Sequence, residues 1–202
     1  MTGTGSARAS SQFRTAAVVG GAGSVGAMLV ALLRGDGVRV LVVDPRCAAR
    51  TDTITDADAM AADLTAPTGE LVASLRSADL VVLAVPESVA LAAAPALPGL
   101  LSPGTLLVDT LSVKTRFARA LTDSAPGIPA VGVNPMFAPD LGMAGRPVAA
   151  VTYRGGHQVD RFLGSLSGWG PRSSGSHLIS TTGSWRRRRR SRMPRCLPSA
   201  SR

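Results

Sequence analysis

The sequence predicts an α/β fold with a doubly wound, mostly parallel sheet and helices on both of its faces. Short apolar runs recur along the chain, as expected of parallel strands that are buried on both faces. Segments compatible with helices separate these runs, and this alternation is typical of a parallel sheet. Hydrophobic residues make up 45% of the chain but aromatic residues only 3%, which suits helices packed on such a sheet.

The individual elements follow from the positions of these runs. Strands are predicted over residues 16–19, 38–43, 80–85, 105–108, 128–133 and 148–153. Helices are predicted over residues 27–34, 71–78, 87–94 and 113–121. Together they predict one domain over residues 14–168, preceded by a flexible N-terminus over residues 1–13.

A glycine-rich turn joins the first predicted strand to the first predicted helix. Gly21, Gly23 and Gly26 have the G-x-G-x-x-G spacing of the phosphate-binding turn in Rossmann-type domains. Gly21 is expected to allow the tight turn, Gly23 to let the backbone approach a diphosphate, and Gly26 to bring the helix close to the sheet. The free N–H groups at the helix start, including those of Ser24 and Val25, suit an anion. These five residues are the candidate phosphate site.

An acidic residue, Asp44, ends the second predicted strand at the position expected in dinucleotide-binding domains. Its carboxylate is able to accept hydrogen bonds from both hydroxyls of an adenosine ribose. Because a carboxylate repels a 2′-phosphate, Asp44 favours NAD as the cofactor over NADP, a preference that Arg46 and Arg50 soften. The alternative interpretation is an ordinary strand–helix turn in an α/β domain that binds no nucleotide.

Three further segments follow predicted strands, so they meet at the carboxyl edge of the sheet, where ligands bind in this architecture. Val85 and Pro86 form a turn that either passes the ribose on the nicotinamide side or simply joins a strand to a helix. Ser112 is predicted as the N-cap of the next helix, a role compatible with substrate contact, and Lys114 either reaches an anion or stays exposed. Asn134 either contacts a ligand or stabilises its own loop.

In chain order, these segments read G-x-G-x-x-G, V-x-x-A-V-P, D-x-x-S-V-K and N-P-M-F-x-P. This order resembles the prephenate and arogenate dehydrogenases of tyrosine biosynthesis, over residues 14–168. The resemblance implies a cytoplasmic NAD(P)-dependent enzyme that removes hydride from C4 of a cyclohexadienol substrate. The ring carboxylate leaves as CO₂ and the ring becomes aromatic. It also implies a homodimer, formed through an all-helical C-terminal domain.

One motif position departs from the family pattern. The family usually has His before Pro-Met-Phe, where it bonds the 4-hydroxyl of the substrate and helps to remove its proton, whereas this chain has Asn134. A carboxamide cannot act as a base near neutral pH, so either the ordinary turnover of prephenate is impaired or the substrate differs. A 4-amino substrate needs no base, because the nitrogen lone pair expels hydride. The Asn134 side-chain oxygen is able to accept a hydrogen bond from an N–H group of that amine. The resemblance thus favours 4-amino-4-deoxyprephenate, with Asn134 and Ser112 as the catalytic residues facing C4.

The last part of the chain does not resemble the family's helical domain. Residues 169–202 hold nine Arg and no acidic residue, so the whole net charge of +9 lies in this tail. Without apolar periodicity, the tail is predicted to be disordered. Its basic run either attracts nucleic acid or anionic membrane without specificity, or results from a shifted reading frame. No aromatic interleaving supports a specific nucleic-acid contact.

Several function classes receive no support from the sequence. No apolar stretch is long enough to span a bilayer, and the N-terminus lacks the apolar core of a secretion signal. Cys47 and Cys196 are predicted as free thiols, and neither has the neighbours of a metal site, so no metal is expected. His157 and His177 are predicted to lie in exposed loops. Two alternative functions stay open: another dehydrogenase of the β-hydroxyacid type, and a truncated, non-catalytic dinucleotide-binding protein.

Overall fold

A computed structural model describes residues 13–49, 59–170 and 178–182 of the chain. Its strands are β1 (Thr15–Val19), β2 (Arg39–Val43), β3 (Ala59–Met60), β4 (Leu80–Leu83), β5 (Leu106–Asp109), β6 (Ala130–Pro135), β7 (Val148–Arg154) and β8 (Leu178–Thr182). Its α-helices are α1 (Ser24–Gly35), α2 (Gly69–Arg76), α3 (Glu87–Ala93), α4 (Leu97–Leu100), α5 (Thr115–Ser124) and α6 (His157–Trp169).

The strands form one sheet in the order β3-β2-β1-β4-β5-β6-β7-β8. All neighbouring pairs are parallel except β6 and β7, which are antiparallel. The chain builds outward from β1 to β3 and then crosses to the other side of β1 to form β4. The strand order therefore reverses between β1 and β4. In open α/β sheets, ligands bind outside the carboxyl ends of the strands at such a reversal.

Two hydrophobic cores cover the two faces of the sheet. Successive strand residues alternate between them, so that Val18 packs in the core with α1 and α6. Val19 packs in the opposite core, with α2, α3, α4 and α5. Burial on both faces explains why the strands are continuous apolar runs rather than alternating ones. These observations confirm the predicted doubly wound, mostly parallel α/β fold.

The predicted strands and helices are all present, with ends that shift by a few residues. The sequence analysis did not predict β3, α4, α6 or β8. Helix α6 was missed because Gly155 and Gly156 precede it, although Val159, Phe162 and Leu166 have helical spacing and are buried. His157 is exposed as predicted, but it begins α6 rather than lying in a loop. None of the described helices is long and apolar enough to cross a lipid bilayer.

The ends of the folded domain differ from the predicted bounds of residues 14–168. Phe13 is only 4% exposed, and the Arg161 guanidinium lies 5.7 Å from its ring centroid. Trp169 ends α6, stacks edge-on against Phe162 and donates a 2.8 Å hydrogen bond to Asp36. Both aromatic residues therefore belong to the domain. Within the predicted tail, β8 pairs in parallel with β7, and the other residues of the tail after position 170 lie outside the described residues.

The turn between β1 and α1 depends on three glycines. Gly20 begins the tight turn with a φ of 80°, in the left-handed region, and its carbonyl accepts a 3.0 Å hydrogen bond from the Gly23 N–H. Gly21 lies inside this turn and is needed for space, because a Cβ there would lie 2.8 Å from Val42 Cγ1. A Cβ on Gly26 would overlap the Gly20 carbonyl oxygen. The prediction that Gly26 brings the helix close to the strand end is consistent with this contact.

Replacing Gly26 with alanine tests this close approach. The added methyl would push α1 away from the turn, and we expect Gly26→Ala to lower the free energy of unfolding by about 2 kcal/mol. Gly35→Ala is the matched control in the same helix, because a Cβ there meets no atom within 4 Å. Since alanine favours helix over glycine, the control should stabilise the protein by roughly 0.5–1 kcal/mol. Urea denaturation of both variants measures the two changes, and equal stabilities would contradict the packing argument.

Candidate functional site

The carboxyl edge of the sheet carries an open helix N-terminus beside the strand reversal. Gly23 is the N-cap of α1 and has no side chain to cap it, and the first turn of α1 contains no acidic residue. The N–H groups of the first turn have no partner within the helix, and the helix dipole makes this end positive. The amides of Ser24 and Val25 thus lie at an end of α1 that suits an anion.

Asp44 follows β2 and lies next to this turn. It is only 3% exposed, and the Ala22 N–H donates a 3.2 Å hydrogen bond to its Oδ2. Arg46 forms a bidentate ion pair with the same carboxylate, with Nε 2.9 Å from Oδ1 and Nη2 2.9 Å from Oδ2. These hydrogen bonds, with the Arg46 side chain contributing most, hold the pKa of Asp44 below its usual range against the opposing effect of burial. The carboxylate is therefore charged at neutral pH.

A cavity of about 280 Å³ opens beside Asp44. It is lined by Val19, Gly20, Asp44, Pro45, Arg46, Ala62, Asp63, Leu64, Ala84, Val85, Pro86 and Val89. The structure thus brings Val85 and Pro86, which follow β4, to the same cavity as Asp44. For these two residues the sequence left open a contact with the ribose on the nicotinamide side or a simple strand–helix turn, and the structure places them beside Asp44 in this cavity.

The residues of this edge fit a dinucleotide in shape as well as in charge. Gly20 packs against the Ala84 carbonyl with no room for a side chain, so the turn stays low between β1 and β4. Gly23 leaves the helix end open, and Asp44 presents a charged acceptor on the next strand. A glycine cradle, a bare helix N-terminus and an acid after the second strand are the parts that a dinucleotide requires.

A second polar cluster lies across the reversal, at the ends of β5 and β6. Asp109 ends β5 and is 1% exposed, and its Oδ1 accepts hydrogen bonds from the Leu111 N–H at 2.9 Å and from Lys114 Nζ at 2.7 Å. Lys114 Nζ also donates to the Val133 carbonyl at 2.9 Å. Burial lowers the pKa of Lys114, while the Asp109 charge opposes that shift. Lys114 therefore ties β5 to β6 and is not the exposed lysine that one interpretation expected.

Tyr153 completes this cluster from β7. Its hydroxyl and Asp109 Oδ2 both lie over Gly132, where an added Cβ would overlap the hydroxyl and come within 2.8 Å of the carboxylate. Neither atom has a hydrogen-bond partner among the described residues. Burial and then the Asp109 charge raise the pKa of Tyr153 far above its usual range, so the phenol stays protonated. The sequence analysis missed Tyr153, because nothing in its strand pattern distinguishes it from a core residue.

Asn134 and Ser112 belong to the segments at the ends of two adjacent strands, β6 and β5. Asn134 lies near the end of β6, directly after the Val133 carbonyl that Lys114 holds, and it is half-buried. Its amide makes no hydrogen bond with the described residues, so it does not stabilise its own loop in this structure. Ser112 is exposed in the segment between β5 and α5. The N-cap of α5 is Lys114, so the prediction that Ser112 caps this helix is wrong: the helix begins three residues later.

The other residues considered from the sequence lie beside the site or outside the described residues. Cys47 is half-buried in the short 3-10 turn over Pro45–Ala49, and its N–H donates a 2.9 Å hydrogen bond to the Asp44 carbonyl. Arg50, His177 and Cys196 lie outside the described residues. The sequence analysis also passed over Gly20, whose carbonyl and positive φ shape the turn; its position at the end of a predicted strand was the available signal.

Comparison with known proteins identifies this arrangement. Residues 33–149 match the family described as prephenate dehydrogenase, nucleotide-binding domain. A 4-amino-4-deoxyprephenate dehydrogenase from Streptomyces pristinaespiralis is 48% identical over 165 residues, which is 82% of this chain and 55% of that protein. The chain therefore spans about half the length of this curated relative.

Solved structures share the fold at low sequence identity. The Synechocystis arogenate dehydrogenase superposes with a TM-score of 0.62 at 23% identity, over 83% of this chain and 59% of that one. An imine reductase from Myxococcus stipitatus in complex with NADP⁺ superposes with a TM-score of 0.58 at 19% identity, over 82% of this chain and 55% of that one. At these identities the likeness establishes the fold alone.

Removing the Lys114 ammonium tests whether it holds β5 and β6 together. Lys114→Met would leave the Asp109 carboxylate buried without its cation, and we expect a loss of about 3 kcal/mol in the free energy of unfolding. Arg119→Met, in the helix that Lys114 precedes, is the control, because Arg119 is exposed and should change stability by less than about 0.5 kcal/mol. Chemical denaturation of both variants measures the difference. If Lys114→Met unfolds at the same denaturant concentration as the wild type, Lys114 does not hold β5 and β6 together.

Proposed function

The chain belongs to the prephenate dehydrogenase family, and we propose that it binds NAD and takes part in the oxidative decarboxylation of a 4-aminocyclohexadiene analogue of prephenate. The observation that carries the proposal is the carboxyl edge of the sheet. There, Asp44 and the glycine turn lie on one side of the strand reversal, and Asn134 lies on the other.

NAD is proposed over NADP because of the charge at the adenosine end. Asp44 is charged and nearly buried, so it repels a 2′-phosphate, and its carboxylate accepts hydrogen bonds from ribose hydroxyls once the Arg46 side chain leaves it. When bound, the nicotinamide ring accepts the hydride from the substrate. The first turn of α1 and the Asp44 carboxylate would hold the dinucleotide at this edge of the sheet.

Asn134 supports the 4-amino substrate. A hydroxyl at C4 needs a base to release its proton as hydride leaves, and a neutral carboxamide cannot act as that base. A neutral amine at C4 stabilises the cation left by hydride loss with its own lone pair. The Asn134 side-chain oxygen accepts a hydrogen bond from one of the N–H groups of this amine. The bond between the ring and its carboxylate then breaks, CO₂ leaves, and the electrons of that bond make the ring aromatic. The two electrons of the oxidation leave as hydride, and no proton transfer is required of Asn134. The name of the 48% identical relative supports the same substrate.

Ser112 is proposed as the second polar contact with the substrate. It is exposed and lies beyond the end of β5, next to β6 in the sheet. Because the helix after it is capped by Lys114, the Ser112 hydroxyl is not used by that helix. It is thus available to a polar group near C4.

Direct titration tests the cofactor. Isothermal titration calorimetry should detect NAD⁺ binding to the chain, and Asp44→Ala should weaken it at least tenfold, because two charge-assisted hydrogen bonds to the ribose are lost (about 1.5–3 kcal/mol each). Asp123→Ala is the control, since Asp123 is exposed at the end of α5, away from the cavity. A chain that binds no NAD⁺ would refute the proposed function.

A turnover comparison tests the substrate. We expect NADH to form faster from 4-amino-4-deoxyprephenate than from prephenate, because only the amine dispenses with a base. Asn134→His should shift the ratio of kcat/KM for the two compounds at least tenfold in favour of prephenate. The reason is that general-base assistance contributes on the order of a hundredfold. Faster conversion of prephenate by the unchanged chain would contradict the assignment of the amino substrate.

A further inference from the structure

The Asp44 carboxylate already has its full set of hydrogen bonds. Its Oδ1 accepts from Arg46 N at 3.0 Å and from Arg46 Nε at 2.9 Å. Its Oδ2 accepts from Ala22 N at 3.2 Å and from Arg46 Nη2 at 2.9 Å. A carboxylate offers about four lone-pair positions. No acceptor position is therefore left for a ribose hydroxyl while the Arg46 side chain stays in place.

The four donors divide into two fixed and two removable ones. The N–H groups of Ala22 and Arg46 belong to the backbone of the two turns, and they stay whatever the side chain does. The guanidinium belongs to a side chain that is 63% exposed, so it is able to swing into solvent. Its departure would free one position on Oδ1 and one on Oδ2. This is the pattern that the two hydroxyls of a ribose require.

The guanidinium also lies over the phosphate turn. A Cβ built on Gly23 would lie 3.5 Å from Arg46 Nη2, so the charged group stands at the entrance to α1. A guanidinium released from Asp44 would remain within reach of the ribose edge. There it would meet the 2′-phosphate of NADP, for which a guanidinium is a strong bidentate partner.

We propose that Arg46 selects between the two coenzymes: it takes the place of the ribose diol on Asp44, NAD must displace it, and NADP gains it as a 2′-phosphate partner. This inference rests on the proposed binding of a dinucleotide. Arg46 therefore acts in opposite directions on the two coenzymes. It opposes NAD by competing for Asp44, and it supports NADP by offsetting the repulsion from Asp44.

The test is the affinity of the chain for NAD⁺ and NADP⁺, measured by calorimetry for the wild type and for Arg46→Ala. We expect the variant to bind NAD⁺ about two- to fivefold more tightly, the gain from removing an exposed ion pair that competes with the ligand. We expect it to bind NADP⁺ at least about tenfold more weakly, because a charge-assisted contact to phosphate is lost. Arg39→Ala is the control for charge, since Arg39 is exposed at the opposite end of β2 and should leave both affinities unchanged.

The outcomes separate this inference from the function it rests on. Opposite shifts for the two coenzymes support the selecting role of Arg46. Equal weakening of both would make Arg46 a simple diphosphate contact and would overturn the inference, as would unchanged affinities. In both of those cases the chain still binds a dinucleotide, so the proposed function survives. Failure of the wild type to bind either coenzyme would overturn both proposals. A thermal unfolding temperature of Arg46→Ala close to that of the wild type verifies that the variant is folded.

Discussion

The contact between Gly26 and the Gly20 carbonyl is the constraint on which the site depends. It lets the first turn of α1 lie directly on the end of β1, at the point where the strand order reverses. Because no side chain intervenes, the helix N-terminus stays bare and faces the crevice. A larger residue at either position would lift the helix from the sheet. The anion site and the distance from α1 to Asp44 would then change together, since the Ala22 amide bonds the Asp44 carboxylate.

The two sides of the reversal are built by opposite means. On the β1 side, space is created by removing side chains, and the glycines leave backbone groups open for a ligand. On the β5 side, space is filled by the buried ion pair of Asp109 and Lys114, with the Tyr153 hydroxyl beside it. A buried ion pair is weak support for stability, but it specifies geometry because each partner has one satisfactory position. The pair fixes the Val133 carbonyl, and with it the backbone that carries Asn134.

The sequence was sufficient for the architecture, because the strands and helices depend on local patterns. Continuous apolar runs predict buried parallel strands, and glycine spacing followed by Asp44 predicts the turn. The rest depended on tertiary contacts. The sequence does not reveal which glycine takes the positive φ, since Gly20 and Gly21 are adjacent and the choice depends on β2 and β4. Lys114 has the polarity of a surface residue, and only its approach to Asp109 and Val133 explains its burial. Tyr153 looks like an ordinary strand residue until β7 is placed against β6.

Asp44 illustrates how a nearly buried acid stays compatible with both the free and the bound protein. A carboxylate that is 3% exposed and unpaired would be costly to keep charged, and its pKa would rise. The backbone N–H groups of Ala22 and Arg46 donate two of the hydrogen bonds that stabilise the charge. The Arg46 guanidinium donates the other two, at the acceptor positions that a ribose would occupy. Binding of a dinucleotide then exchanges one set of donors for another without creating a new buried charge. The affinity for a coenzyme accordingly depends on the difference between two sets of hydrogen bonds rather than on the strength of either. Under the proposed role of Arg46, this difference biases the choice between two ligands that differ by one phosphate.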